Sequence, residues 1–373
     1  MWRGCCGARA VLRDQFPALA RFTYLNTATY GLLSRRGRAA MVGHLDRRDE
    51  FACGDFLAWF DDMDRLRGKL GRLVGAQADD IAFAPNAATP LSLLLNGLDW
   101  APGDEIVTLE NEFPNQLYFP ALLANRGVKF IAAPWERLQE QITARTRLIV
   151  VSQVSYSTGF RPRLETLDRR SALLYVDATQ CLGALTFDWA AVRPDFLAVN
   201  GYKWMLAPNG AAFYAVSPAL RARLAPQVIG WRSHFDWRNV NNLHAAAPVF
   251  AEAAERYEGG MLDFPSLYAL EAAVDMLFEL GPEEVERYVL NLTETLRGAL
   301  RRVSGVTLYS DEFAATGPTP ITSVHFAGLE AGALAARLKA EHNILTSARC
   351  GRLRLSPHFY NDENDIDRLL AAL

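Results

Sequence analysis

Lysine is nearly missing from this chain: its 39 basic residues include only Lys69, Lys129, Lys203 and Lys339 as lysines, the rest being arginine. Cysteine is also sparse. The five are Cys5, Cys6, Cys53, Cys181 and Cys350, an odd number with no zinc-ligand spacing, in a chain of 373 residues that needs no covalent staples. That usage points to a reducing cytoplasm. The histidines (44, 234, 244, 325, 342 and 358) are scattered, so no structural metal is implied. A net charge of −3 offers no basic field for nucleic acid or an anionic membrane. No apolar run reaches membrane-spanning length, and Met1-Trp2-Arg3-Gly4-Cys5-Cys6 lacks the apolar stretch of a signal peptide. Residues 1–20 are therefore read as an N-terminal arm. No Gly-rich fingerprint or Walker sequence follows the first strand, which disfavours a nucleotide-binding domain.

What is present is a long alternation of apolar runs and helix-like segments. Candidate strands are Asp80–Ala84, Glu105–Leu109, Val128–Ala132, Leu148–Ser152, Leu173–Asp177, Asp195–Asn200 and Ala211–Val216. Near-continuous apolar runs such as Leu148-Ile149-Val150-Val151 suit strands buried on both faces. Helices are expected between them, at Pro114–Asn125 and Leu164–Ser171 for example, and two more at 34–74, broken near Cys53-Gly54. The pattern predicts an α/β fold with a mostly parallel sheet flanked by helices. Residues 226–260 read as long ordered loops. A helix from Ser266 ends at Gly281-Pro282, and a second runs Glu283–Val303. Short strands (Val306–Tyr309, Thr322–Phe326, Leu353–Leu355) and helices (Ala331–Glu341, Glu363–Leu370) follow. The division expected is a large domain over 21–260 and a smaller α+β domain over 261–373.

Polar residues at the carboxyl ends of parallel strands are the ones to inspect. Lys203 stands just past the apolar run Phe196-Leu197-Ala198-Val199. An ammonium there is costly unless an amine is needed, and Schiff-base chemistry needs one. Asp177 ends another apolar strand, either as a helix N-cap or as a buried acid with a partner. The turn Pro85-Asn86-Ala87-Ala88-Thr89 is either a tight turn or, with its free amides before the helix Leu91–Leu98, an anion cradle. Together a lysine, an acid and an anion site fit pyridoxal phosphate. Phe113 can stack on its ring or belong to the core, and Gln153 and Gln180 are able to donate to its hydroxyl.

Four segments resemble the class V aminotransferase family of fold type I pyridoxal phosphate enzymes, which includes cysteine desulfurases, isopenicillin N epimerase-like proteins and kynureninase. They are Tyr24-Leu25-Asn26-Thr27-Ala28, Val176-Asp177-Ala178-Thr179-Gln180, Gly201-Tyr202-Lys203-Trp204 and Arg354-Leu355-Ser356-Pro357-His358-Phe359-Tyr360-Asn361. The resemblance implies Lys203 as the Schiff-base lysine, Asp177 on the pyridinium, Gln180 at the ring oxygen and Phe113 at the stacking position. It implies Ala87 and Ala88 as phosphate-binding amides, with Asn200 and Tyr202 as further phosphate contacts. It also places Arg354 on the substrate carboxylate and implies a homodimer with a shared site, Gly260-Met261 standing where a partner's Gly-Thr reaches the phosphate.

Cysteine desulfurases differ in two ways: histidine replaces Phe113, and their nucleophilic cysteine rides an extended loop. Cys350 lies only four residues before Arg354, with little room for such a loop. The expectation is therefore a lyase breaking a C–S bond in a cysteine derivative by β-elimination. A transaminase or an amino-acid epimerase is the alternative enzyme, and a pyridoxal-binding regulatory homologue the non-enzyme one. Asn26, Thr29, Tyr30, Arg161, Trp231, Arg232 and His234 are candidates for shaping the pocket. Arg161 and Arg232, surface or interface residues by default, are the arginines available to a second anionic group.

Overall fold

In the computed structural model, residues 12–243, 247–309 and 317–373 are described. Cys5, Cys6, His244 and the start of the expected arm lie outside them.

Alternation along each central strand builds the molecule. β1 (Thr23–Tyr24) stands apart from a seven-stranded sheet of β2 (Ile81–Ala84), β3 (Glu105–Leu109), β4 (Lys129–Ala133), β5 (Thr146–Ser152), β6 (Leu173–Asp177), β7 (Phe196–Asn200) and β8 (Ala212–Val216). Ile149, Val151, Leu174, Val176, Leu197 and Val199 point to one face, against the helices Phe56–Val74 and Phe264–Leu280. Leu148, Val150, Leu173, Tyr175, Phe196 and Ala198 point to the other, against the helix Ala88–Gly97. Period-two exposure to two cores is why these strands carry no polar face.

The order is β2-β8-β7-β6-β5-β3-β4. Only β8 runs against its neighbours, pairing antiparallel with both β2 and β7. All seven strands were legible as apolar runs, shifted by at most two residues. The exposed Lys129 lies on the edge strand β4, where a lysine discourages further pairing.

The expected helix Leu164–Ser171 is not formed. The segment makes one 3-10 turn, Leu164–Thr166, and then bends. Asp168 accepts the Arg170 N–H through its side chain, and Arg170 takes φ 52°. A side chain that competes for backbone donors and a left-handed residue end the helix before it can propagate. Conversely, Trp135–Gln141 forms an unexpected helix behind Pro134. The two helices at 34–74 run Arg35–Phe51 and Phe56–Val74 and break where Ala52 and Cys53 take positive φ. Among the described residues no helix is long and apolar enough to cross a membrane.

A second sheet holds β9 (Val306–Leu308), β10 (Thr322–Phe326), β12 (Ser347–Arg349) and β13 (Arg352–Leu355), antiparallel in the order β12-β13-β10-β9. Its core contains Leu292, Leu296, Leu300, Val324, Leu353, Leu355, Ile366 and Leu369. Parallel pairing of β1 with β11 (Ile344–Leu345) ties the N-terminal segment to this sheet, and Asn26 bridges to Ser356 just beyond. Residues 24–31 are thereby laid across the mouth of the large sheet.

Candidate active site

The carboxyl ends of β2, β3, β5, β6 and β7 open on one edge, and the predicted residues gather there. Lys203 follows β7 in a turn closed by Leu206 N–H to the Lys203 carbonyl and Ala207 N–H to the Gly201 carbonyl. Two glycines let neighbouring backbone press against this turn. A Cβ on Gly31 would stand 2.0 Å from the Lys203 carbonyl oxygen, and one on Gly183, at φ 99°, 2.2 Å from that of Trp204. The lysine side chain is thus delivered from a fixed base.

Lys203 is 8% exposed. Its Nζ lies 5.4 Å from the Phe113 ring centre and 5.7 Å from that of Tyr202, with no hydrogen bond or ion pair among the described residues. Burial lowers its pKa to about 8, with Arg354 and Arg349 pushing the same way and Asp177 opposing. About a tenth of the amine is therefore neutral near pH 7, where an ordinary lysine has almost none.

Asp177 is buried at the end of β6, without a cationic partner within ion-pairing distance among the described residues. One carboxylate oxygen accepts Gln116 Nε2 at 2.6 Å and the other the Thr179 N–H at 2.9 Å. Beside it Glu112 is buried, accepting the Ser152 N–H at 2.6 Å and the Ser152 hydroxyl at 2.5 Å. Burial pushes the Glu112 carboxyl up to about 7, and Asp177 adds to that shift.

Phe113 caps the helix Pro114–Leu122 and meets Tyr156 edge-on, ring centres 5.2 Å apart. Gln180 donates to the Ala28 carbonyl at 2.9 Å and accepts the Trp204 indole N–H at 2.7 Å, so it braces the lysine turn and keeps one amide proton uncommitted. Gln153 is buried, its N–H bonded to the Asp177 carbonyl and its Oε1 without a partner. Tyr202 packs on Tyr30, ring centres 4.9 Å apart.

At the start of the helix Ala88–Gly97, the Ala88 and Thr89 N–H groups donate to Asn86 Oδ1 at 3.0 and 3.2 Å. The Ala87 N–H donates to Asn200 Oδ1 at 2.9 Å. These amides point at side-chain oxygens, and Asn86 is exposed and displaceable by an anion.

Arg354, on β13, is 1% exposed and has no carboxylate within ion-pairing distance among the described residues. It donates to Ser347 Oγ at 3.2 Å, to the Tyr156 carbonyl at 2.5 Å and to Thr29 Oγ1 at 2.5 Å. Burial and then Arg349 push its pKa down to about 9. A desolvated guanidinium without a counter-ion is a standing demand for one.

Among the described residues, the buried Oε1 of Gln116, Oε1 of Gln153 and Oδ1 of Asn26 have no hydrogen-bond partner. Three orphaned acceptors, an unpaired amine and an unpaired carboxylate fit a polar heterocyclic cofactor with an aldehyde, a ring nitrogen and an anionic tail. Among the described residues no cluster has the make-up of a metal site.

Other expected residues go elsewhere. Arg232 is consumed behind β2, where it and Arg67 hold Glu258. Arg232 also donates to the Gly260 carbonyl at 3.1 Å, so Gly260 is fastened to this cluster. Arg161 reaches the Pro318 carbonyl and stands 3.8 Å from Glu286. Gln116 was not foreseen, and Thr29, a pocket candidate, gained its partner Arg354 only in three dimensions. Gln116 sits three residues past Phe113, one helical turn on, a spacing that marks a shared face.

The sequence profile of the family described as aminotransferase class V matches residues 58–369. A probable cysteine desulfurase of Methanothermobacter thermautotrophicus is 24% identical over 67% of this chain, which spans 64% of that relative's length. The isopenicillin N epimerase of Amycolatopsis lactamdurans is 28% identical over 98% of both chains. Among solved structures, the cystine C–S lyase C-DES in complex with its reaction product cysteine persulfide superposes with TM-score 0.86 at 25% identity, over 96% of this chain and 98% of that one.

Proposed function

The chain belongs to the class V aminotransferase family of pyridoxal phosphate enzymes, and from that membership we propose that it cleaves the C–S bond of a cysteine derivative by β-elimination. The observation that carries the choice among the family's reactions is the turn between β12 and β13. Arg349 pairs with Arg352, leaving only Cys350 and Gly351 to reverse the chain, at φ 49° and 74°. Such a two-residue turn holds Cys350 at the rim beside Tyr156, with no length of chain to carry a sulfur atom away. Sulfur leaving the substrate is then released rather than relayed. The C–S lyase among the structural neighbours supports the same reading.

The residues divide the work. Lys203 would hold the cofactor's aldehyde carbon, Asp177 its ring nitrogen with a proton on it, and the Ala88 and Thr89 amides its phosphate. Phe113 would cover the ring. When bound, pyridoxal phosphate supplies a cationic ring able to take up the electron pair released at a substrate's α-carbon. Arg354 grips the substrate carboxylate with a planar fork. Lys203, once free, takes the proton from the α-carbon, a task suited to a buried amine with pKa about 8. The balance is R–S–CH2–CH(NH3+)–COO− plus water giving R–SH, pyruvate and ammonium. A cytoplasmic homodimer with Gly260 near the partner's phosphate site completes the proposal, supported by exposed Val228, Ile229 and Met261 nearby.

Purified holoenzyme given S-substituted cysteines should release thiol and pyruvate in equal amounts. Lys203→Ala should lower that rate about 100- to 10,000-fold and abolish the borohydride-reducible link to protein. Amino transfer to a keto acid with no thiol released would replace the lyase by a transaminase.

A further inference from the structure

Strand alternation puts Arg349, Arg352 and Arg354 on one face of the small sheet. Ser347 pairs with Arg354, and Arg349 with Arg352, across β12 and β13, and Ser323 pairs with Arg354 across β10. Directly opposed residues share a face, so three guanidiniums and two serines form one patch. Their contacts are neutral. Arg352 donates to Ser323 Oγ at 3.1 Å and lies over the Tyr309 ring. Arg349, half-buried, donates to the Ala348 carbonyl at 2.7 Å and to Thr29 Oγ1 at 3.3 Å, the hydroxyl that Arg354 also holds. Among the described residues no carboxylate pairs with any of the three.

We propose that Arg349 is a second anion subsite, so that the substrate is an amino acid whose side chain ends in a second anionic group. The proposal rests on the reading that Arg354 takes the α-carboxylate. One carboxylate on Arg354 neutralises one buried cation and leaves Arg349 facing it uncompensated. The two rows of the hairpin stand two residues apart, about 7 Å along the strand. Thr29 spans the gap between the guanidinium heads, so two anionic groups separated by a few bonds satisfy both forks. Arg349 is anchored at the two-residue turn, which fixes the strand end bearing it and favours a short side chain over a long flexible one. Each fork then gains charge-assisted bonds that an uncharged side chain cannot supply. An S-carboxyalkyl or similarly anionic cysteine conjugate has this chemistry.

The test uses the holoenzyme and two isosteric comparisons. Calorimetric titration with glutarate and with its half-amide reads the subsite without any turnover. Glutarate should bind about tenfold more tightly, in line with one charge-assisted pairing. Arg349→Gln should erase that preference and Arg349→Lys retain most of it. Equal affinities in the wild type, or a preference that survives Arg349→Gln, would overturn the subsite. Turnover of S-carboxymethylcysteine against S-carbamoylmethylcysteine should show the same Arg349-dependent preference in kcat/KM. Failure to cleave either conjugate while the glutarate preference holds removes the lyase reading and leaves the subsite standing. Equal cleavage of both, with no glutarate preference, does the reverse.

Discussion

Arg67 and Arg232, behind β2, close on the carboxylate of Glu258, whereas Arg349 and Arg354, on the small sheet, close on a hydroxyl and backbone carbonyls. Arg67, Arg232 and Arg354 are withdrawn from water and Arg349 half so, yet the surroundings of the two pairs differ in sign. Glu258, its side chain 1% exposed, accepts from Arg67, from Arg232 and from the Phe83 N–H at 2.7 Å. Burial alone would raise its carboxyl, but the two guanidiniums prevail and hold it below its usual range. Arg232 also lies over the Phe60 and Trp237 rings. Each charge there has a counter-ion, and the cluster ties Arg232 and Glu258 to the sheet at Phe83. The second pair is incomplete, and burial together with mutual repulsion pushes Arg354 down. A buried charge with its counter-ion belongs to the scaffold, and one without belongs to a ligand.

The contrast can be broken most directly at Glu258. Glu258→Gln leaves two guanidiniums buried beside a neutral amide, and should lower unfolding free energy by about 3–5 kcal/mol in a denaturant titration. Little change would mean that this cluster is no more structural than the other. Arg354→Gln should do the opposite. It removes an unpaired buried charge, so stability should stay within about 1 kcal/mol of wild type while kcat/KM falls about 100-fold. A large stability loss in this variant would erase the distinction between the pairs. The smallest effect concerns Lys203. The rate at which apo-protein captures pyridoxal phosphate should rise with pH through a midpoint near 8, because only the neutral amine attacks. Arg349 holds that midpoint down, so Arg349→Gln should move it upward, toward the ordinary lysine value. An unmoved midpoint would disconnect the arginine face from the lysine.

The central strands were legible because they are apolar on both faces, and Lys203 and Asp177 because a charged residue ending such a strand is conspicuous. Arg354 was legible through its segment's resemblance to a family. Arg349 was not, since a second arginine nearby looks like solvated surface until the hairpin puts both on one face. Thr29 was named only as one of several candidates for shaping the pocket, and its bond to Arg354 joins residues 325 positions apart. Asn86 was read as part of a free-amide cradle, whereas its side chain fills the cap, a local hydrogen bond that spacing does not reveal. The segment 164–171 misled for a related reason, because Asp168 spends its carboxylate on its own turn.

Pairing of β1 with β11, and of Asn26 with Ser356, has a consequence for how the protein is made. β1 must wait for partners translated long after it, since Thr23 pairs with Ile344. Large-sheet strands can assemble meanwhile, as contacts close in sequence form soonest. Thr29 and Arg354 meet only once Arg354 has been translated, so a product stalled before it carries the lysine and the acid but not that arginine. The arginine face is thereby assembled later than the strand ends that carry Lys203 and Asp177.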